Sequence, residues 1–327
     1  MKPELMKALA WRRERLLLPF RRWLTFRGSA GSILWRWPWP LKKPWQLSRL
    51  RLASHGGGIG DELMCTPVFR EIRRLNPECH ITFLSRYPEI FRSNPHLDQV
   101  ERFSLAAAAD AIYLQYTLVV PPPRPLMTLM GECVGLALAP CRLEPPLVEP
   151  SPELQARLTA IGEPRIVIQP QASHWTPNKQ WPVELWKQLV EMLVEHYDVV
   201  EAGTQSLFAG AALGPRFHSL AGATSMQDFA WVVSQATVFV GPPSGGMHFA
   251  NAYEIPSVII FGGYEAPDGY DYSWVRRFFT PVDCAPCWLT TPCPYALKCL
   301  RAIPPEEVFR AVVKAVGMAV PQKLAAV

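Results

Sequence analysis

A glycine-rich stretch, Gly56-Gly57-Gly58-Ile59-Gly60-Asp61, lies between a short apolar, basic run (Leu50 to Ser54) and residues Met64, Val68, Ile72 and Leu75 at helical spacing. This order reads as a strand that passes through a tight turn directly into a helix. Glycine there lets the backbone approach a ligand closely, and the helix N-terminus favours an anion. Asp61 stands where the turn becomes the helix. The pattern is not the dinucleotide fingerprint: the next strand candidate, His80 to Leu84, runs into Ser85-Arg86 rather than an acidic residue.

The other half of the chain carries a counterpart. Val238-Phe239-Val240 reads as a buried strand and leads into Gly241-Pro242-Pro243-Ser244-Gly245-Gly246-Met247-His248. A further apolar run, Ser257 to Phe261, ends in Gly262-Gly263. Two strand–turn–helix units in separate halves predict an α/β protein with two Rossmann-like domains facing a cleft. With 327 residues the chain is long enough for two cores, and an apolar share of 49% excludes a disordered protein.

Between the two units lies Gln169-Pro170-Gln171-Ala172-Ser173-His174-Trp175, followed by Lys179-Gln180-Trp181-Pro182. The three motifs, in this order and spacing over roughly residues 50–318, resemble glycosyltransferase family 9. That family contains the ADP-heptose:lipopolysaccharide heptosyltransferases. The resemblance implies the GT-B fold and an inverting, metal-independent sugar transfer from a nucleoside-diphosphate donor to a lipid-linked or lipopolysaccharide-type glycan. Such a reaction needs a base for the acceptor hydroxyl and donors or cations for the leaving diphosphate. Asp61 matches the family's catalytic aspartate, although capping of its own helix is the competing reading. Lys179 matches the lysine set against the donor phosphates; a solvated surface lysine is the alternative. Gly60, Thr224, Ser244, Gly245, Gly246 and His248 match donor-site positions, and Thr66 an acceptor-site position. The turn Ser244-Gly245-Gly246 can offer backbone N–H groups to a diphosphate without a metal.

One departure is informative. Family members carry an aspartate, in contact with the donor sugar, where this chain has Pro243. Either the sugar differs from heptose, or Glu62, Glu265 or Asp268 supplies the carboxylate. Two other functions compete with sugar transfer: an epimerase-like nucleotide-sugar enzyme of the same fold, and a non-catalytic assembly factor that docks on a membrane.

The docking idea rests on the first 49 residues, read as a basic, Trp-rich extension. Residues 1–51 hold thirteen Lys and Arg against two acids, so they carry +11 in a chain whose net charge is +5. Six of the twelve tryptophans lie there as well. Arg and Trp beside Leu16, Leu17, Leu18 and Phe20 suit an anionic membrane surface. A strap folded back on the protein is a second reading, and nucleic acid the last. No apolar run is long enough to span a bilayer, and the arginine-rich start does not resemble a secretory leader, so a cytoplasmic protein on the inner membrane face is expected.

The proline cluster at 145–152 marks a linker between an acceptor domain (50–150) and a donor domain (151–327). Helices are predicted over 62–75, 86–93, 126–138, 226–234 and 306–316, and strands at 79–84, 98–102, 111–115, 165–169 and 198–201. Leu185, Trp186, Leu189, Val190 and Leu193 form a further helical stripe. Cys284, Cys287, Cys293 and Cys299 have the spacing Cys-x2-Cys-x5-Cys-x5-Cys. The first pair is a common zinc half-site, so a structural Zn²⁺ competes with packed free thiols and with disulfides. No cofactor is expected for catalysis.

Overall fold

The computed structural model describes residues 43–116, 121–138, 142–172, 175–272 and 275–325. The basic, Trp-rich segment therefore lies outside the described residues up to position 42. The chain divides into two compact units, residues 1–147 with 268–271, and residues 148–267 with 272–327. Both are α/β and built on parallel sheets.

The first unit runs β1 (Arg49–Ser54), α1 (Ile59–Leu63), α2 (Thr66–Leu75), β2 (His80–Ser85), α3 (Pro88–Phe91), β3 (Gln99–Arg102), β4 (Ile112–Leu114) and α4 (Leu126–Glu132). Its sheet has the order β3-β2-β1-β4. Phenyl rings in tilted and edge-to-face contact fill the space beside it: the centroid of Phe69 on α2 lies 4.7 Å from that of Phe83 on β2, and Phe83 lies 5.2 Å from Phe91 on α3.

The helix expected over 62–75 is in fact two. The carbonyl of Leu63 would normally accept from the N–H four residues on, but that residue is Pro67, which has none. The Thr66 hydroxyl takes its place, donating to Leu63 O at 2.7 Å. The helix predicted at 126–138 stops at Glu132, where the chain folds back and Leu136 N–H reaches Gly131 O at 3.0 Å.

The second unit runs α5 (Pro152–Thr159), β5 (Arg165–Ile168), a 3-10 turn (Pro177–Lys179), α6 (Val183–Val194), β6 (Asp198–Glu201), β7 (Phe217–Ser219), α7 (Met226–Ser234), β8 (Val238–Gly241), α8 (Gly245–Ala252), β9 (Ser257–Gly262), β10 (Val275–Phe279), α9 (Lys298–Arg301) and α10 (Pro305–Ala325). Its sheet order is β10-β9-β8-β5-β6-β7. Strands β5, β8 and β9 are buried along their whole length, which is why they read as unbroken apolar runs rather than alternating ones. Helices α6 and α10 pack together on this core. Ser225 caps α7, its hydroxyl accepting from Asp228 N–H at 3.1 Å. Among the described residues no helix is long and apolar enough to cross a membrane.

Candidate active site

In the first unit the site is the turn after β1. Asp61 sits in the first turn of α1, and its two carboxylate oxygens have different partners. Oδ2 accepts from Gly58 N–H at 3.1 Å, while Oδ1 accepts from the Tyr116 hydroxyl at 2.6 Å. Helix capping thus engages one oxygen of the carboxylate, and Tyr116 the other. The turn must be glycine for this to fit: a Cβ at Gly56 would lie 2.1 Å from Asp61 Cγ. Tyr116 was not foreseen, because it sits 55 residues from Asp61 and only the β1–β4 pairing brings it near.

Two neighbours of Asp61 are committed elsewhere. Thr66 was expected to meet the acceptor, but its hydroxyl is buried, donates to Leu63 O and accepts from Glu144 N–H at 3.0 Å. The missing N–H of Pro67 has made it part of the scaffold. Glu62 is fully buried and accepts from the Ser85 hydroxyl and, at 2.9 Å, from Arg86 N–H. Burial pushes its carboxyl above the usual range. It ties α1 to the end of β2. Gly60 lies within α1, adjacent to Asp61 and in the first unit rather than with the other donor-site candidates.

In the second unit the loops after β5, β8 and β9 converge. Lys179 ends the 3-10 turn, and its ammonium donates to Pro243 O at 3.1 Å. The same nitrogen lies 2.6 Å from Glu265 Oε1 and 4.9 Å above the Tyr264 ring. Glu265 is only 3% exposed. Of the three acids offered by the sequence for the missing aspartate, Glu265 is therefore the one beside Lys179. Glu62 and Asp268 belong to the first unit.

Gln169, at the end of β5, organises the neighbouring turn. Its Oε1 accepts from the Ser244 hydroxyl at 2.9 Å and from Gly246 N–H at 3.1 Å. A Cβ at position 246 would lie 2.3 Å from that oxygen. The Gly246 N–H expected to hold a diphosphate is thus engaged inside the protein. Ser244 and Gly245 remain at the N-terminus of α8. Thr224 follows β7 in a loop whose Gly222 N–H bonds Gly203 O at 2.8 Å, so the two glycine turns after β6 and β7 lie side by side.

His248 is buried, with Nδ1 2.6 Å from the Tyr272 hydroxyl. Burial, then the charge of Lys179, pushes its pKa down to about 3. The imidazole is therefore neutral at physiological pH. Its depressed value makes acid destabilising. Below pH ~6.5 the unfolded chain takes up a proton that the folded chain refuses until about 3. Unfolding free energy is expected to fall as pH drops through this window, at up to about 1.4 kcal/mol per pH unit from this group. Denaturant unfolding at pH 7.5 and 5.0 should show the loss, and His248→Gln should shrink it.

The Cys-rich segment needs a correction. Among the described residues no three His, Cys, Asp or Glu side chains are grouped to hold a metal ion, and Cys284, Cys287, Cys293 and Cys299 are free. Of the three readings the sequence offers, packed free thiols fit the described residues, and a grouped Zn²⁺ ligand set does not. Burial pushes Cys287 up to about 11 and raises Cys284 and Cys299, so these thiols behave as small apolar groups. Hydrogen bonds to and from its backbone hold the segment. Thr176 and Asn178 both donate to Leu289 O at 2.8 Å, and Cys287 N–H donates to Gly263 O at 3.0 Å. The segment braces the loop that carries Lys179.

Residues 126–267 match the family model described as glycosyltransferase family 9 (heptosyltransferase). Over that stretch the chain is similar to the family 9 glycosyltransferases. Comparison with curated protein sequences finds no match. Among solved structures the chain is similar to ADP-heptose lps heptosyltransferase II of E. coli, at 16% identity and TM-score 0.62 over 82% of this chain and 99% of that one. A glycosyltransferase family 9 protein of Veillonella parvula is similar at 14% identity and TM-score 0.64, over 84% of this chain and 98% of that one. The third is TibC of enterotoxigenic E. coli, described as an iron-containing dodecameric glycosyltransferase, at 19% identity and TM-score 0.62 over 81% and 78%. TibC is also known in complex with ADP-D-β-D-heptose. At these identities the likeness is one of fold, the GT-B fold of heptosyltransferases. Iron is a property of TibC alone in this comparison.

Proposed function

We propose that this chain transfers a sugar, heptose or a relative of it, from a nucleoside diphosphate to a lipid-linked or lipopolysaccharide-type glycan, with inversion and without a metal. The observation that carries this reading is the placement of Lys179 against the turn Pro243-Ser244 at the start of α8. A cation beside a helix N-terminus suits a leaving diphosphate.

In this reading Asp61 takes the proton from an acceptor hydroxyl as that oxygen attacks the anomeric carbon. The bond from that carbon to the phosphate oxygen breaks, and the nucleoside diphosphate leaves with its new charge facing Lys179, Ser244 and Gly245. Neutral His248 lines the donor site. Thr224 and the paired glycine turns after β6 and β7 receive the nucleoside. Gly60 keeps the backbone near Asp61 slim. Glu265 supplies the carboxylate that position 243 lacks, within reach of Lys179 and the sugar.

Residues 1–49 bring the enzyme to the inner face of the cytoplasmic membrane, where lipid-linked acceptors are found. Their arginines meet anionic headgroups and their indoles settle at the interface.

A thermal-shift screen against ADP-, UDP- and GDP-linked sugars and the free diphosphates tests the donor. A ligand at 100 times its dissociation constant should stabilise the fold by about 2.7 kcal/mol. A shift with ADP-heptose supports a heptosyltransferase, and a shift with another class replaces the donor. No shift with any of them sinks the transferase reading in favour of a non-catalytic docking protein.

A further inference from the structure

Trp175 is 60% exposed, although the groups around Lys179 are mostly buried. Its indole N–H donates to the hydroxyl of Tyr264 at 2.9 Å, and Tyr264 is itself 1% exposed. One edge of the indole is therefore pinned to the protein while much of its surface faces solvent. The Tyr264 ring that receives this bond is also the ring under the Lys179 ammonium. Trp175 thus stands about one phenol ring and two contacts from the cation.

The loop that carries Trp175 is anchored on both sides. At its start Gln169 holds Ser244 and Gly246; at its end Lys179 holds Pro243 O. Both anchors grip the same turn, and the ring that holds the indole, Tyr264, lies under the Lys179 ammonium that reaches that turn. Sheet order gives the side. The turn follows β8, and Tyr264 follows β9. The paired glycine turns that receive the nucleoside follow β6 and β7, on the opposite side of β5. A ring meeting Trp175 therefore sits across the diphosphate from the nucleoside.

We propose that Trp175, held by Tyr264, is a stacking platform for the sugar ring of the donor. The inference rests on the donor reading above. The apolar C–H face of a pyranose covers an indole well, and removing such an aromatic surface typically weakens binding about tenfold. Lys179 and the helix end hold the phosphates; Trp175 tells a nucleotide sugar from the bare nucleotide.

The test is calorimetric titration of three pairs: ADP and ADP-heptose, UDP and UDP-glucose, GDP and GDP-mannose. The pair bound by the wild-type protein is carried forward. Trp175→Ala, at an exposed position, should fold normally by melting temperature. It should weaken the sugar nucleotide about tenfold and leave the bare diphosphate within about twofold. Trp175→Phe keeps a ring face and should retain most of the affinity. Tyr264→Phe removes the acceptor of the indole N–H and should give an intermediate loss for the sugar nucleotide alone. Equal weakening of both ligands by Trp175→Ala, or of neither, overturns the proposal and leaves the donor reading standing. Failure of the wild-type protein to bind any of the three pairs overturns the donor reading, and this proposal with it.

Discussion

Asp61→Asn is expected to lower kcat for sugar transfer by about 10² to 10⁴, the usual contribution of a general base. The amide keeps the size of the carboxylate. Its oxygen can still accept from Gly58 N–H, and its NH2 group can meet the Tyr116 hydroxyl, so the cap of α1 should survive. Melting temperature and donor affinity should therefore change little, since the groups proposed to face the diphosphate belong to the second unit. Only proton uptake is lost. Steady-state kinetics with a lipid-linked acceptor, beside a melting curve, make the comparison. A variant whose kcat stays within about threefold of wild type would remove Asp61 from the chemistry and leave it as a helix cap.

Lys179→Met has two separable consequences. Activity should fall by about 10² to 10³, because the leaving diphosphate loses its cation. Stability should fall as well, because Glu265 is 3% exposed and loses the ammonium 2.6 Å away. Breaking a buried ion pair from one side costs about 3–5 kcal/mol. The double variant Lys179→Met, Glu265→Gln removes the stranded charge and should regain much of the melting temperature while remaining inactive. If the double variant recovered activity along with stability, Lys179 would be a structural partner of Glu265 and not a phosphate ligand. A single variant of undiminished stability would argue instead that water or another cation already reaches Glu265.

The units of the fold were legible because parallel strands buried on both faces leave a plain signature. The run Val238 to Val240 and the run Ser257 to Phe261 could hardly be anything else. Short edge strands left no such mark. Phe217–Ser219 and Val275–Phe279 were not foreseen, since an edge strand pairs on one side only and needs no continuous apolar run. The break between α1 and α2 could have been read from Pro67. The substitute donor at Thr66 was mistaken for a ligand contact, because a hydroxyl beside a glycine turn looks the same in either role.

The cysteine spacing left zinc, packed thiols and disulfides open, because a Cys-x2-Cys pair describes reach along the chain and a metal site requires three or more ligands grouped in space, which the described residues do not show. Gln169 was quoted within a motif but given no task. Its part emerged only when Ser244 and Gly246 were seen to share its carbonyl oxygen.

By itself the sequence determined the α/β class, the two glycine turns that open helices, and the candidacy of Asp61 and Lys179. These depend on residue type and on neighbours within one strand–turn–helix unit, where chain connectivity alone dictates the geometry. The partners of those residues were decided by the tertiary structure. Tyr116 reaches Asp61 across 55 residues, and Trp175 finds Tyr264 across 89. Of three candidate acids, Glu265 is the one the structure pairs with Lys179, at 2.6 Å. Such contacts follow from which strands pair and which loops therefore converge, and no local spacing in the chain encodes that convergence.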